Sequence, residues 1–214
     1  MKSIQKEIFL KHEGDNWYLR NKKNLNYKNL NNKILISRVS KLLKKKKLNV
    51  LEIGCSNGNN LVNLKKIRKN CNYFGVDPSR KAINILNKKK IEGRVGTADK
   101  LDFKDNSMDI IIYGFCLYLC DISLYDKIFK EAYRVLKKKG HIVIFDFYSK
   151  KKFTFNYVHD LRIRTIKRDF KKIFLKKNSF ILKFEKFFLY NKIFKKNNVK
   201  NKDKVSLSIL QRRY

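Results

Sequence analysis

Between Leu48 and Phe147 short apolar runs alternate with helical stripes, and this alternation restricts the possible folds more than any other feature. Leu48 to Ile53, Tyr73 to Val76, Ile91 to Gly96, Met108 to Tyr113 and His141 to Phe147 read as strands. Asn60 to Arg68, Arg80 to Lys89 and Leu124 to Leu136 read as helices, and Lys33 to Lys45 reads as one before them. Ser79 is placed to cap the helix at Arg80, and Lys137-Lys138-Lys139-Gly140 reads as the exit of the helix ending at Leu136. Strands that alternate with helices predict an α/β fold, a parallel sheet covered on both faces. After Phe147 the pattern loosens. Phe180 to Tyr190 and Val205 to Leu210 read as two strands joined without a helix, which predicts an antiparallel finish.

At 214 residues this is one domain, with residues 1–47 as an N-terminal helical cap, 48–147 as the core and 148–214 as an insertion plus the last two strands. The longest apolar run, Ile110 to Cys120, is shorter than the roughly 20 residues that span a bilayer. Met1 to Glu7 has no apolar signal core, so a cytoplasmic protein is expected. The net charge of +35 comes from Lys spread along the whole chain, beside abundant Asn and Ile. Scattered charge of this kind reads as composition and predicts nonspecific nucleic-acid binding only. Phe153, Phe155, Tyr157, Arg162, Arg164 and Arg168 form the stretch densest in both aromatic and basic residues. Cys55, Cys71, Cys116 and Cys120 include no CxxC pair and have no His at zinc spacing, so no metal site is expected.

The chemistry concentrates in Glu52-Ile53-Gly54-Cys55-Ser56-Asn57-Gly58, which follows a strand and opens a helix. As a dinucleotide loop it lacks two of the three glycines, since Ser56 and Asn59 stand at their positions. Gly54-Cys55-Ser56-Asn57-Gly58 spells a hydrolase elbow, but the sequence offers no oxyanion loop to go with it. A nucleoside cofactor that is cationic rather than phosphorylated fits better. Glu52 would attract its positive charge and repel a pyrophosphate. Asp77 closes the next strand and offers acceptors for two ribose hydroxyls.

Glu52-x-Gly54-x-Ser56-x-Gly58 resembles motif I of class I S-adenosylmethionine-dependent methyltransferases. Ser56 replaces the middle glycine, which costs little if its φ is ordinary. Gly75-Val76-Asp77-Pro78-Ser79 resembles the motif whose acid holds the ribose. Gly96-Thr97-Ala98-Asp99-Lys100-Leu101-x-Phe103 is similar to the adenine-side loop, with Thr97 replacing the usual Asp. Asn106 to Ile112 and Glu131-x-x-Arg134-Val135-Leu136-Lys137-x-x-Gly140 match two later motifs. His12 to Asn21 and Gly114 to Asp121 resemble a bacterial subgroup of the type 11 methyltransferases often associated with cell-surface sugar gene clusters.

The resemblance implies a three-layer Rossmann-like sandwich, with a mostly parallel seven-stranded sheet, an antiparallel last strand and helices on both faces. It implies S-adenosyl-L-methionine as cofactor, held by Glu52, Gly54, Cys55, Ser56, Asn57, Gly58, Asp77, Pro78, Ala98, Asp99 and Phe115. The expected reaction is methyl transfer to an oxygen or nitrogen of a small molecule, such as a sugar or nucleotide sugar; the alternative acceptor is tRNA or rRNA. Trp17, Tyr18, Asn21, Tyr118, Tyr157 and Arg162 are lid or substrate candidates, and His159 is a candidate general base. The sequence leaves the oligomeric state open.

Overall fold

The computed structural model describes residues 3–23, 25, 30–43, 47–190 and 203–214. An N-terminal arm holds α1 (Ile4–Ile8), a π-helical turn (Phe9–Glu13) and α2 (Gly14–Asn21), and α3 (Leu30–Leu42) follows. The core then alternates β1 (Asn49–Ile53), α4 (Asn59–Ile67), β2 (Asn72–Asp77), α5 (Arg80–Lys88), β3 (Glu92–Val95), β4 (Met108–Gly114), α6 (Tyr125–Val135) and β5 (Leu136–Tyr148). A hairpin of β6 (Phe153–Asn156) and β7 (Arg164–Lys167), a short α7 (Lys171–Phe174), β8 (Phe180–Leu189) and β9 (Lys204–Arg212) complete the described chain.

The main sheet has seven strands in the order β3-β2-β1-β4-β5-β9-β8. The five strands of the core pair in parallel, while β9 runs antiparallel to both β5 and β8. The expected sandwich with one reversed strand is therefore present. Period-2 alternation divides the core between the two faces. Leu51, Ile53, Ile111, Ile142 and Ile144 face one way, onto Ile128, Ala132 and Val135 of α6 and Ile173 and Phe174 of α7. Val50, Ile110, Ile112 and Val143 face the other, onto Leu35 and Val39 of α3 and Leu61 and Leu64 of α4. Strands with both faces covered must be apolar throughout, which explains the unbroken run Asp109-Ile110-Ile111-Ile112-Tyr113 after its first residue.

Ser79 caps α5 as expected, its Oγ accepting from the Ala82 N–H at 3.0 Å. Two local expectations change. Lys137 to Gly140 is not a helix exit, because β5 begins at Leu136 directly after α6. Leu136 is fully buried and paired with Met108, and Lys139 takes a left-handed φ of 61° where the register shifts. The hairpin of β6 and β7 went unseen because all four residues of β6 are exposed, leaving no burial alternation to read. Lys44 and Lys45, expected to end the helix that starts at Lys33, lie outside the described residues.

Candidate functional site

The strand order reverses between β1 and β4, and a crevice opens at the carboxyl ends of parallel strands where that happens. Parallel register sets Ile53 beside both Val76 and Tyr113, so Gly54, Asp77 and Gly114 emerge at one level. A cleft with about 810 Å³ of empty space, open mouth included, lies there. Its walls include Gly54 after β1, Asp77 and Pro78 after β2, Gly96 to Asp99 after β3, and Phe115 and Cys116 after β4. Gln5, Lys6, Phe9, Gly14 and Trp17 of the N-terminal arm also line it.

The turn after β1 takes left-handed backbone at every second residue, with φ of 70° at Gly54, 48° at Ser56 and 73° at Gly58. The ordinary φ expected at Ser56 is thus not found, and a left-handed non-glycine residue costs about 1–2 kcal/mol. Asp77 holds this turn. Its Oδ2 accepts from the Ser56 N–H at 2.8 Å and its Oδ1 from the Ser79 N–H at 2.9 Å. Glu52 is buried behind the turn, with Oε1 accepting from Asn60 Nδ2 at 2.6 Å. Among the described residues, Glu52 Oε2, Asn57 Oδ1 and Asn60 Oδ1 are buried without a partner. Cys55 is packed beneath the turn, 5% exposed.

The arm is fastened over the cleft by polar contacts to the loops around it. Ser3 Oγ donates to Asp121 at 2.7 Å, and Lys6 pairs with Asp99 at 2.7 Å. Asp15 accepts from Ser79 Oγ at 2.7 Å and from the Lys81 N–H at 3.0 Å. Gln5 Nε2 donates to the Leu119 carbonyl at 2.7 Å, and the Arg164 N–H donates to Gln5 Oε1 at 3.0 Å. Gly14 fits only because it lacks a side chain, since a Cβ there would lie 3.0 Å from the Pro78 carbonyl carbon and the Ser79 nitrogen.

On the other side, Asp146 is fully buried at the end of β5 and accepts from the Leu117 N–H at 2.9 Å and the Phe147 N–H at 2.8 Å. It fixes the loop that carries Phe115, Cys116, Leu119 and Cys120 to the cleft. Phe115 has a left-handed φ of 51°, and its ring packs edge-on against Phe145 and Phe147 at 5.0 and 5.5 Å. Tyr118 lies beside Trp17 and packs edge-on against Phe147 at 5.1 Å.

The sequence candidates therefore separate. Gly54, Asp77, Pro78, Ala98, Asp99, Phe115 and Trp17 line the cleft. Glu52, Cys55, Ser56, Asn57 and Gly58 form the turn beside it, and Tyr118 meets Trp17 next to it. Tyr18 is half-buried on α2, and Asn21 caps the last turn of α2 by donating to the Trp17 carbonyl. Tyr157 is buried with its hydroxyl donating to Glu13 at 2.7 Å, and Arg20 donates to that hydroxyl at 3.0 Å. His159 and Arg162 are exposed at the tip of the hairpin, where Arg162 pairs with Asp160 at 2.7 Å. Sequence reasoning missed Gln5, Lys6, Phe9, Gly14, Cys116 and Cys120 as cleft residues. Only Gly14 carried a signal, as a glycine inside a helical stretch.

Burial raises three carboxyl groups: Glu52 to about 8, with the nearby Asp77 charge adding to it, Asp146 to about 7 and Asp77 to about 6. An acid whose folded pKa exceeds its unfolded value keeps its proton in the folded state after the unfolded chain has lost it. The stability it contributes is complete below the unfolded pKa of about 4 and is lost as pH rises through the folded pKa. Asp121, Glu131 and Asp160, all shifted downward, are ionised in both states above about pH 5 and do not affect this window. The melting temperature of the cofactor-free protein is therefore expected to fall from about pH 5 to about pH 8. A flat or rising melting curve series would show that these carboxyl groups are ionised throughout.

The sheet order and the cleft at its switch point have the Rossmann-like fold of solved methyltransferases. Residues 51–144 match the type 11 family model, described as a methyltransferase domain. A demethylmenaquinone methyltransferase of Lactobacillus johnsonii is 30% identical over 105 residues, which is 45% of this chain and 42% of that protein. The chain thus spans less than half the length of this relative. A solved S-adenosylmethionine-dependent methyltransferase of Methanosarcina mazei superposes with a TM-score of 0.64 at 19% identity, covering 82% of this chain and 97% of that one. The cyclase SpnF superposes equally well, with a TM-score of 0.64 at 12% identity over 82% of this chain and 80% of its own, so the likeness concerns the fold alone.

The solved relative from Methanosarcina mazei is named for S-adenosylmethionine, and the residues of this cleft fit that cofactor. The unpartnered oxygens of Glu52, Asn57 and Asn60 are acceptors for a cationic, hydroxyl-bearing ligand, and the acidic turn disfavours a pyrophosphate.

Proposed function

We propose that this protein transfers a methyl group from S-adenosylmethionine to a small acceptor with an apolar body. The observation that carries the reading is the cleft at the ends of β1, β2 and β4, where Asp77, Ala98, Asp99 and Phe115 meet beside the buried Glu52. When bound, the cofactor supplies an electrophilic methyl group on a sulfonium. The chain's own residues bind, orient and exclude water. Asp77 would accept from the ribose hydroxyls with the lone pairs its two backbone contacts leave free. Ala98 and Asp99 would meet the adenine edge, and Glu52 with the Asn57 and Asn60 carbonyls would balance the positive charge. Phe9, Trp17 and Phe115 would exclude water from the reacting end.

The wall facing the acceptor is built from Phe115, Cys116, Leu119 and Cys120 together with Phe9 and Trp17. Such a wall favours an apolar body over a sugar or nucleotide sugar, and the relative from Lactobacillus johnsonii is named for demethylmenaquinone. An RNA acceptor gains no support from these relatives.

The test is a thermal melt with S-adenosylmethionine, S-adenosylhomocysteine and NAD, followed by methyl transfer to quinol, phenol and sugar acceptors. The two S-adenosyl compounds are expected to raise the melting temperature and NAD to leave it unchanged. Stabilisation by NAD alone would overturn the cofactor reading, and transfer to sugars alone would overturn the apolar acceptor.

A further inference from the structure

We propose that the hairpin of β6 and β7 docks the protein on the surface of an anionic lipid bilayer. The tip between the two strands, residues 157–163, buries Tyr157 and Ile163 and turns its other apolar residues outward. Val158 is 83% exposed and Leu161 73% exposed, the two highest values among the described large aliphatic side chains. On β6 itself Phe153 and Phe155 are about half exposed, at 49% and 46%, with their rings stacked 6.4 Å apart.

The tip is rigid. The Tyr157 N–H donates to the Ile163 carbonyl at 3.0 Å, and the Ile163 N–H to the Asp160 carbonyl at 2.9 Å. The Tyr157 hydroxyl is tied to Glu13 and Arg20 beneath it, and Tyr157 and Ile163 pack on Ile8 and Phe9 of the arm. Holding two aliphatic side chains outward on so firm a base means that little ordering entropy is lost when they insert.

Charge selects the partner. Lys150, Lys151, Lys152, Arg162 and Arg164 are all exposed around the hairpin, and the tip's single carboxylate, Asp160, is neutralised by Arg162 at 2.7 Å. A basic collar around an apolar tip complements a bilayer that has anionic headgroups and a hydrocarbon interior. RNA would use the collar and could stack on Phe153 and Phe155, but the two most exposed side chains, Val158 and Leu161, offer it no π-face and suit hydrocarbon instead. Among the described residues no helix is long and apolar enough to cross a membrane, so the contact is with the surface. Phe9 and Trp17, in the cluster beneath the tip, also line the cleft, so the arm connects the docking face to the site.

This inference goes beyond methyl transfer, and its test uses neither cofactor nor acceptor. The full chain is floated with vesicles of phosphatidylcholine alone and with vesicles containing about one-quarter phosphatidylglycerol, at low and physiological salt. It is expected to float with the anionic vesicles only. Val158→Ser with Leu161→Ser should lower that partition about tenfold or more while leaving the melting temperature unchanged, because both side chains are exposed. Val158→Trp should give a blue-shifted emission component on anionic vesicles, a readout that does not depend on the serine variant folding. Failure to float would overturn the proposal, and so would equal flotation of a folded serine variant, the mark of charge adsorption alone. A sequence preference for one RNA that persists at physiological salt and is lost on Val158→Ser with Leu161→Ser would instead make this an RNA surface.

Discussion

Asp77→Asn is expected to weaken S-adenosylmethionine binding by about 1–3 kcal/mol, roughly five- to 150-fold. Both carboxylate oxygens of Asp77 already accept backbone N–H bonds, from Ser56 at 2.8 Å and Ser79 at 2.9 Å. Asparagine keeps one acceptor and turns an NH₂ group toward the other N–H, so one bond is lost and two donors face each other. The Ser56 bond matters most, because it holds a residue with a φ of 48° in the middle of the cofactor turn. Asp77→Ala removes both bonds and should weaken binding at least as much. Titration calorimetry with S-adenosylmethionine, on variants whose melting curves show a folded protein, decides the matter. Unchanged affinity in a folded Asp77→Asn protein would take this carboxylate out of the site.

If Glu52 and Asp77 hold the cofactor as proposed, its affinity is expected to depend on pH in the sense opposite to stability. A cationic ligand binds the ionised forms of Glu52 and Asp77, which burial raises to about 8 and about 6. Affinity therefore rises with pH across the window in which the cofactor-free protein loses stability.

How much of this was legible in the sequence depends on the range over which each feature is written. The strands and their caps are local. The run Ile110-Ile111-Ile112 and the cap Ser79 reveal themselves within a few residues, and the structure has both. The turn after β1 was legible as a turn because strand and glycines follow one another directly. The arm's contacts could not be read in this way. Lys6 and Asp99 are 93 residues apart, and Gln5 and Arg164 are 159 apart, with nothing near either end to announce the partner. Nothing in the sequence marks Cys116 and Cys120 as cleft residues, because a cleft wall and a core use the same apolar side chains. His159 and Arg162 sit at a tip defined by tertiary contacts of Tyr157 and Ile163, which no local pattern announces. Backbone strain is also silent in a sequence. Neither Ser56 nor Phe115 is the glycine that a left-handed φ favours, so neither revealed its conformation.

Gly58→Ala should be strongly destabilising. Gly58 has a φ of 73° and caps α4, with its carbonyl accepting from the Val62 N–H at 2.9 Å. A Cβ at this position would lie 2.1 Å from Leu86 Cδ1, and Leu86 is fully buried. The left-handed backbone costs an alanine about 1–2 kcal/mol, and forcing a methyl group into a filled core adds about 1–3. Alanine's smaller unfolded-state entropy returns roughly 0.4–1 kcal/mol. The net expectation is a loss of about 2–4 kcal/mol, a large share of a typical domain's roughly 5–15. Chemical denaturation measures it, and the double variant with Leu86→Ala separates the two causes. The steric part should vanish once Leu86 is cut back, so the double change should cost less than the sum of the single ones. Strict additivity would mean that the turn yields without touching α5. Two residues earlier, Ser56 already carries a side chain at a φ of 48°, so Ser56→Gly should change stability by no more than about 1 kcal/mol. The contrast within one turn follows from what lies opposite each Cβ: at Gly58 the place is already taken by the helix after β2.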